Sequence, residues 1–524
     1  MSTRRRLGDR ANLQPVDRLP APARHPAQNR ASLRPAPAPA PVEAPPQDTA
    51  GGSVSYIVDR HLAWAILGHW LRDPDLSARS PPRLWQIGAL SLTLGGLIGL
   101  AVASTEVAHL FLATLLSVPF LCVVLLRLAA VREVLLRSDA ASAAVSAVAS
   151  ETLPLYSILV PLYREAAVLP RLIRALGALD YPDERLDILL VLEAADTATV
   201  RAVSSIRLPN HFRVLVVPDS QPRTKPKALN YALGQARGEL LVVYDAEDVP
   251  EPDQLRLAAS AFAAAGPELV CLQARLNVDD ARRSLVSRQF ALEYTALFDA
   301  LLPALERLGL PLPLGGTSNH FRTAALRAAG AWDPFNVTED ADLGIRLARL
   351  GYTIGTLPST TWEESPPDLG NWWRQRTRWL KGWMQTYLVH TRRPLRLYRE
   401  LGAWRHLGLH VLMGAMLLSV LAYPFGLALL GLAIWNGRFL ADPASDLERW
   451  LWWTSAANVG LGFATAMLLA ALAARRRGWR WLAPWTLAMP LYWLFISAAG
   501  YRALWQLARQ PYLWEKTRHT GGEE

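Results

Sequence analysis

Lysine and cysteine are both scarce in this sequence. Four lysines stand against 51 arginines, and the two cysteines, Cys122 and Cys271, lie far apart in unlike surroundings. Two distant cysteines exclude a disulfide scaffold and a zinc site built on cysteine. The arginine bias makes each lysine conspicuous, and Lys225 and Lys227 fall within three residues of each other.

Charged residues are also few, at 19% of the 524 residues, whereas hydrophobic residues reach 51%. This balance excludes a mostly disordered protein and is apolar for a soluble enzyme. The formal net charge is +10, but most of the excess lies in an N-terminal tail and beside apolar runs. We therefore expect no nucleic-acid partner.

Large apolar residues are nearly absent from the N-terminal tail. Residues 1–50 contain ten Pro, ten Ala and eight Arg. Such a stretch cannot bury enough surface to offset its ordering entropy, so residues 1–55 are predicted to be a disordered, solvated tail. No hydrophobic region with a small-residue cleavage site follows, and we expect no cleaved signal peptide.

Residues 56–149 are predicted to hold a surface or interfacial helix over 56–72 and two transmembrane helices. Leu84–Ala103 and Leu110–Leu128 each have about the 20 residues that a bilayer core of about 30 Å requires. The link between them has no Lys or Arg, whereas Arg127, Arg132 and Arg137 follow the second span. The positive-inside rule then places the link outside and the next segment in the cytoplasm.

Residues 396–524 are predicted to form a C-terminal transmembrane region and a cytoplasmic tail. Its apolar stretches are Leu407–Trp435, Leu451–Ala474 and Pro484–Gly500. Arginines at 475–477 and 480, and more in the tail, indicate cytoplasmic flanks. Three single crossings would leave the tail outside, so one segment is expected to be re-entrant or interfacial. The sequence predicts five or six spans in total, in a multi-pass protein of a bacterial inner or plasma membrane.

Residues 150–395 have a different pattern, in which short apolar runs alternate with amphipathic stretches. The predicted buried strands are Tyr156–Val160, Leu186–Leu192, Arg213–Val217, Leu240–Tyr244 and Leu269–Leu272. Helical patterns between several of them predict an α/β domain with a mostly parallel sheet. Ligands of such sheets bind at the carboxyl ends of the strands.

Three carboxylates, those of Asp245, Glu247 and Asp248, follow one predicted strand. Carboxylates at the end of a buried strand are costly to hold together without a cation. Oxygen ligands of this kind suit Mg²⁺ or Mn²⁺, which often share their coordination with phosphates. The alternative is a solvated acidic turn.

Two further polar clusters lie near strand ends upstream of this loop. Glu193 and Asp196 end another predicted strand, and Lys225 and Lys227 open a helix. Lysines at a helix N-terminus favour an anion there, because the helix dipole adds to their charge.

Downstream motifs add a possible base and an aromatic segment. Thr338, Glu339 and Asp340 precede a helical pattern, where Thr338 could instead only cap the helix. Gln375, Arg378 and Trp379 lie in a Trp-rich stretch, which could instead be an interfacial belt.

In this order, the motifs resemble the family 2 glycosyltransferases, in particular their membrane-embedded processive branch, which contains the cellulose and hyaluronan synthases. The resemblance covers residues 153–395 and the flanking spans, and it implies a GT-A-type domain in the cytoplasm. This chain has Asp-x-Glu at Asp245 and Glu247 instead of Asp-x-Asp, and Glu193 with Asp196 instead of adjacent aspartates.

The resemblance implies an inverting transfer of a sugar from a UDP-sugar to a growing β-linked polysaccharide. Asp340 would be the general base, and Asp245 and Glu247 would hold Mg²⁺ or Mn²⁺. The implied contacts of the nucleotide sugar are Glu193, Asp196, Asp245 and one of Lys225 and Lys227. The implied contacts of the acceptor are Thr338, Glu339, Gln375, Arg378 and Trp379. Gly315–His320 is similar to the family's acceptor-side loop.

Two other functions remain open at this point. One is a glycosyltransferase that adds a sugar to diacylglycerol or polyprenyl phosphate. The other is a transporter or non-catalytic scaffold, which predicts lone charges inside the spans; the spans are almost free of them. The sequence specifies neither the donor sugar nor an export partner.

Overall fold

The structure of the protein is a computed structural model, and it describes residues 59–136, 152–437 and 445–515. All of these residues belong to one compact unit. The predicted tail, residues 1–55, lies outside the described residues, as do the flanking arginine Arg137 and the last residues of the predicted C-terminal tail, 516–524.

An eight-stranded sheet forms the centre of the described chain. Its strands are β1 (Tyr156–Leu162), β2 (Leu186–Glu193), β3 (Phe212–Val217), β4 (Leu240–Val243), β5 (Val249–Pro250), β6 (Leu269–Val278), β7 (Asn319–Arg322) and β8 (Thr353–Glu363). The strand order is β3-β2-β1-β4-β7-β6-β8-β5. Six strands run in one direction, and β5 and β7 run opposite to them. The predicted α/β class, with a mostly parallel sheet, is confirmed.

Strand β6 extends six residues beyond the predicted end at Leu272. The extension buries the polar side chains of Gln273 and Asn277. Gln273 Nε2 donates to the Thr317 carbonyl (3.1 Å), and Asn277 Nδ2 donates to Thr295 Oγ1 (2.9 Å). Buried polar groups are stable in a strand when their hydrogen bonds are satisfied.

Helices cover both faces of the sheet and connect it to the apolar helices. The helices that precede, connect or directly follow the strands are α1 (Arg60–Arg72), α4 (Leu169–Gly177), α5 (Thr197–Ser204), α6 (Lys225–Leu233), α7 (Gln254–Ala264), α8 (Leu285–Ala296), α9 (Leu302–Arg307), α10 (Thr323–Ala328), α11 (Glu339–Arg349), α12 (Leu369–His390) and α13 (Pro394–Leu409). Helix α1 packs on α6, where Asn230 Nδ2 donates to the Ala65 carbonyl (3.0 Å).

Five helices of the described chain are long and apolar enough to cross a membrane. They lie within α2 (Leu84–Ala103), α3 (Thr105–Leu136), the continuous segment that ends with α14 (Met416–Trp435), α15 (Asp446–Arg476), and the segment that ends with α16 (Met489–Arg509). Helix α3 runs eight residues past the predicted end at Leu128. Arg127 therefore lies inside this helix instead of following it.

The apolar helices associate in two pairs. Helix α3 packs on α15, and Asn458 Nδ2 of α15 donates to Ser117 Oγ of α3 (2.9 Å). Helix α14 packs on α16, and Tyr501 of α16 donates its hydroxyl to the Leu421 carbonyl of α14 (2.5 Å).

Helix α16 lies alongside α12 over most of its length. Near its start, the Tyr492 hydroxyl accepts a hydrogen bond from Trp372 Nε1 (2.9 Å). Near its end, Ala503 is buried against Met384 of α12. Just after the helix, the Leu513 carbonyl accepts a hydrogen bond from Lys381 Nζ (2.5 Å). Both ends of α16 therefore stay beside the same helix of the sheet domain.

Candidate active site

One cavity of about 1630 Å³ lies at the carboxyl ends of β1, β2 and β4 and continues between the apolar helices. The predicted site residues that line it are Glu193, Lys225, Asp245, Glu247, Thr338, Glu339, Asp340, Gln375, Arg378 and Trp379. Asp196 and Lys227 do not line it. The fold thus brings ten of the twelve predicted residues to one space.

Four carboxylates crowd the end of the cavity next to the sheet. Asp245, Glu247 and Asp248 follow β4, and Glu363 ends β8. Burial and the neighbouring Asp245 charge raise the pKa of Glu247 to about 8. Burial and the Glu247 charge also raise the pKa of Glu363 well above its ordinary value. This crowding favours a bound cation.

Asp248 shapes the acidic loop from inside. Its Oδ2 accepts hydrogen bonds from the Asp245 amide (2.7 Å) and from the Thr317 hydroxyl, while its Oδ1 is buried without a hydrogen bond. Burial, followed by the Glu363 charge, raises the pKa of Asp248 well above its ordinary value. The loop holds Asp245 at the cavity surface through this carboxylate.

The carboxylates fit a divalent cation that shares its coordination with a ligand. Asp245 and Glu247 offer the hard oxygen donors that Mg²⁺ and Mn²⁺ prefer. Within the described ranges, no three His, Cys, Asp or Glu side chains converge closely enough to hold a metal by themselves. A cation held by Asp245 and Glu247 would therefore complete its shell with oxygens of the bound substrate.

The two lysines of the Lys225-Pro226-Lys227 element have different environments. Lys225 Nζ donates to Asp245 Oδ1 (2.5 Å) and to the Gly316 carbonyl (2.6 Å). Although burial opposes it, the Asp245 charge raises the pKa of Lys225 above its ordinary value. Lys225 is thus a cation fixed at the cavity surface beside the acidic loop.

Lys227 is fully buried and points away from the cavity. Its Nζ donates to Glu193 Oε2 (2.9 Å) and to the Ser220 carbonyl (3.3 Å). Burial raises the pKa of Glu193, and Lys227 opposes this shift. The pair joins α6 to the end of β2, so Lys227 holds Glu193 at the cavity wall.

Asp196 organises the loops behind the cavity. Its Oδ1 caps α5 by accepting from the Thr199 amide (3.3 Å), and its Oδ2 accepts from the Arg164 amide (2.5 Å). Arg164 has a left-handed backbone, with φ of 57°. The carboxylate therefore supports the turn that follows β1.

Asp340 lies in the first turn of α11, half-buried at the cavity surface. Its Oδ1 accepts a hydrogen bond from the Ala341 amide (2.7 Å). Burial raises the pKa of Asp340 to about 6, against the opposing effects of the Ala341 amide and Lys225. A carboxylate with this pKa can accept a proton near neutral pH.

The rest of the Thr-Glu-Asp motif supports this helix start. Thr338 occupies the N-cap position, yet its hydroxyl makes no capping hydrogen bond. Burial and the Asp340 charge raise the pKa of Glu339 to about 7. Gly316 lies across the cavity, and a Cβ added there would stand 3.3 Å from Asp340 Oδ2. Glycine at this position permits the close approach of the two loops.

Helix α12 supplies the opposite wall. Trp379 stacks on Tyr294, with ring centroids 6.3 Å apart and an interplanar angle of 17°, and Arg376 covers it at 5.0 Å. Arg376 pairs with Glu293 (2.5 Å). Gln375 and Arg378 line the same wall. The Trp-rich stretch thus faces the carboxylates across the cavity.

Sequence reasoning missed two residues of this site. Glu363 ends β8, and its only sequence signal is an acidic pair after an apolar strand. Trp514 lines the cavity and lies 4.9 Å from the Arg378 guanidinium. It comes more than 130 residues after Arg378, so no local pattern could have connected the two.

His320 of the predicted acceptor-side loop is buried in β7. Its Nδ1 lies 2.7 Å from the Tyr156 hydroxyl. Gly315, Gly316 and Thr317, in contrast, line the cavity. Only the first half of that loop can contact a ligand.

Residues 154–382 match the family model described as "Glycosyltransferase like family 2". These residues form a family 2 glycosyltransferase domain. The match ends within α12, just after Trp379, and includes the acidic loop and Asp340. The predicted recognition is confirmed at the level of this domain.

Curated relatives match between 43% and 56% of the chain. A probable glycosyltransferase, YdaM of Bacillus subtilis, is 30% identical over 237 residues, which are 44% of this chain and 55% of the relative. The β-monoglucosyldiacylglycerol synthase of Synechocystis is 27% identical over 303 residues, covering 56% and 60%. The poly-β-1,6-N-acetyl-D-glucosamine synthase of Staphylococcus epidermidis is 23% identical over 227 residues, covering 43% and 54%. The chain thus spans somewhat more than half the length of these relatives.

Among solved structures, the mannosyltransferase PcManGT of Pyrobaculum calidifontis, in complex with GDP-Man and Mn²⁺, is similar over 76% of this chain and 99% of its own. Its sequence identity is 20% and the TM-score is 0.43.

Proposed function

We propose that the protein is an inverting membrane glycosyltransferase that transfers a sugar from a nucleoside-diphosphate sugar, a UDP-sugar, to a growing β-linked polysaccharide. One observation carries this proposal. A half-buried carboxylate with a pKa of about 6, Asp340, shares one cavity with the acidic loop and with Lys225. A base and a site for a charged leaving group are the two requirements of this reaction.

The transfer is a single displacement at the anomeric carbon. The acceptor hydroxyl oxygen forms the new bond to that carbon while its proton moves to an Asp340 carboxylate oxygen. The bond between the carbon and the diphosphate oxygen breaks, and the nucleoside diphosphate leaves with the electron pair. Attack opposite the leaving group turns an α-linked donor into a β-linked product.

The donor end must neutralise the departing diphosphate. Lys225 lies within 2.5 Å of Asp245 and would exchange part of this contact for a phosphate oxygen. Mg²⁺ or Mn²⁺ held by Asp245 and Glu247 would supply further positive charge to the leaving group. Glu193 and Asp196 would bind or position the nucleotide from the ends of β2 and α5.

The acceptor end is the wall formed by α12. Trp379 would contact a sugar ring through the part of its side chain that lines the cavity, while Gln375, Arg378, Thr338 and Glu339 would supply hydrogen-bonding groups around it. This combination supports the polysaccharide acceptor and the processive, cellulose-synthase-like branch. The Staphylococcus epidermidis relative is named as a polysaccharide synthase as well.

A lipid acceptor is the second candidate, and one observation favours it. The same cavity continues along α3, α14 and α15, where mostly apolar side chains line it. A glycolipid could place its hydrocarbon there and its head group near Asp340. The Synechocystis relative is named as a lipid glycosyltransferase.

Incubation of the purified protein in nanodiscs with a panel of UDP- and GDP-sugars tests the reaction. We expect one sugar to be transferred in a divalent-cation-dependent manner, with chelation abolishing turnover and Mn²⁺ or Mg²⁺ restoring it. Sizing and lipid extraction of the product separate polysaccharide from glycolipid. Absence of transfer from every donor, by protein that still binds lipid, would support the non-catalytic transporter or scaffold instead.

We also propose that the catalytic domain faces the cytoplasm and that four helices, α2, α3, α14 and α15, cross the membrane, which is fewer than the five or six spans predicted from the sequence. Ion pairs link the domain to the end of α3 through Glu133 and Arg307 (2.6 Å) and to the end of α15 through Arg477 and Asp299 (2.6 Å). Because α16 stays beside α12, it would lie along the membrane surface. This arrangement would place the arginine-rich turn at 475–480 in the cytoplasm.

Single-cysteine variants test this topology in a background without Cys122 and Cys271. Ser445, Gly478 and Gln510 are exposed. In intact cells, an impermeant thiol reagent should label Ser445→Cys and spare Gly478→Cys and Gln510→Cys. If Ser445→Cys and Gln510→Cys are both labelled and Gly478→Cys is not, α16 crosses the membrane. If Gly478→Cys and Gln510→Cys are labelled and Ser445→Cys is not, the orientation is the reverse of the one proposed.

A further inference from the structure

The membrane half of the cavity is an apolar cleft between the two helix pairs. Its walls include Leu116 and Phe120 of α3, Leu421 and Phe425 of α14, and Val459 and Phe463 of α15. Phe425 lines the cavity and is also 66% exposed, as is Leu429 at 58%. Large exposed apolar side chains of this kind suit contact with hydrocarbon.

Arg127 of α3 places one cation in the wall of this cleft. Its NH1 donates to the Gly462 carbonyl of α15 (3.0 Å). Across the described ranges of the chain, Arg127 has no carboxylate within ion-pair distance. A guanidinium carries five N–H donors, so this single bond leaves most of its capacity for a ligand.

Arg127 lies near the end of α3 that packs against the catalytic domain. One helical turn further, Ala130 and Val131 pack against Ala300 and Ala304 of the catalytic domain. Arg127 thus lies at the boundary between the apolar helices and the domain, where the polar groups of a bilayer begin. Charged residues buried at such sites usually serve a ligand or a transported group.

We propose that the acceptor is a sugar carried on a lipid phosphate, with its hydrocarbon chain in the cleft and its phosphate on Arg127. The inference rests on the proposed function and takes up its second candidate, the lipid acceptor, in place of the polysaccharide. The terminal sugar of the lipid would reach Asp340, which takes the hydroxyl proton as the new glycosidic bond forms. A planar guanidinium binds a phosphate through two parallel hydrogen bonds, whereas neutral lipids offer it no such partner.

Binding without donor tests the subsite separately from catalysis. Full-length protein in phosphatidylcholine nanodiscs is titrated with undecaprenyl phosphate and with undecaprenol, which differ only in the phosphate. Wild type should bind the phosphate form at least about tenfold more tightly, as expected for charge-assisted hydrogen bonds. Arg127→Gln should lose this preference and Arg127→Lys should keep part of it. Arg132→Gln, which alters an exposed arginine of the same helix, should behave as wild type.

Other outcomes overturn the proposal. Equal affinity of wild type for the two lipids would remove the phosphate site, and an unchanged preference in Arg127→Gln would remove Arg127 from it. Complete competition by inorganic phosphate would mean that the site serves a free anion. Retained UDP binding checks the folding of each variant; if Arg127→Gln does not fold, the wild-type comparison and Arg127→Lys still decide. Failure of sugar transfer with an intact lipid preference would count against the proposed function alone.

Discussion

The two halves of the cavity differ in how their charges are compensated. At the sheet end, Glu247, Asp248 and Glu363 crowd together, and their pKa values are raised mainly by burial and also by neighbouring carboxylates, Asp245 among them. In the membrane half, the walls are apolar and Arg127 is bound to a backbone carbonyl. The sheet end therefore favours cations and a charged donor, whereas the membrane half favours hydrocarbon and one anion. In the proposed mechanism, the acceptor hydroxyl would be activated by Asp340, which lines the same cavity.

The sharpest test of that role is Asp340→Asn. The variant keeps the size of the side chain and removes the base, so transfer should fall by about 10²- to 10⁴-fold. Donor binding, measured calorimetrically with UDP, should stay within a few-fold of wild type, because the sheet end is unaltered. Near-normal transfer by Asp340→Asn would place the base elsewhere.

Substitutions of the two lysines should separate an effect on the free energy of unfolding from an effect on donor binding. Lys227→Met leaves Glu193 buried without its partner, so the free energy of unfolding should fall by about 3–5 kcal/mol. Lys225→Met should leave that free energy nearly unchanged, since Asp245 remains in contact with solvent, and should instead weaken UDP binding. Chemical unfolding and calorimetry measure the two effects.

A double variant is the control for this pair. Adding Glu193→Leu to Lys227→Met removes the unpaired carboxylate and should recover much of the lost stability. If Lys227→Met instead weakens UDP binding without loss of stability, Lys227 is the donor contact.

Sequence reasoning could identify the sheet end because its residues follow strands and helix starts. Asp245, Lys225 and Asp340 each occupy such a position, and their order along the chain is that of the family. It could not distinguish Lys225 from Lys227, because a single helical turn decides which lysine faces the cavity. Arg127 appeared to follow its span because the apolar run ends there, whereas packing on α15 and on the catalytic domain extends the helix to Leu136. Trp514 reaches the cavity because α16 brings the chain back along α12, and no local sequence pattern predicts that return.

The pH dependence of transfer should report the base. Asp340 has a pKa of about 6 and must be deprotonated to accept a proton. Activity should therefore be full well above this pH and fall about tenfold for each pH unit below it, because each unit removes nine-tenths of the remaining base. A pH–rate profile of kcat/KM measures this. The residual activity of Asp340→Asn should show no break near pH 6; a break that persists would belong to another group.

The smallest expected effect concerns Trp379, which lines the same cavity. Trp379→Phe keeps an aromatic plane against Tyr294 but reduces the surface available to an acceptor sugar. Because an aromatic contact contributes about 0.5–1.5 kcal/mol, transfer should fall by roughly 2- to 12-fold. Hydrolysis of the donor by water requires no acceptor sugar and should be unchanged. Trp435→Phe is a matched control, since Trp435 is 87% exposed at the end of α14, and it should transfer as wild type does. If Trp379→Phe lowers hydrolysis and transfer equally, Trp379 supports the fold of α12 and does not contact the acceptor.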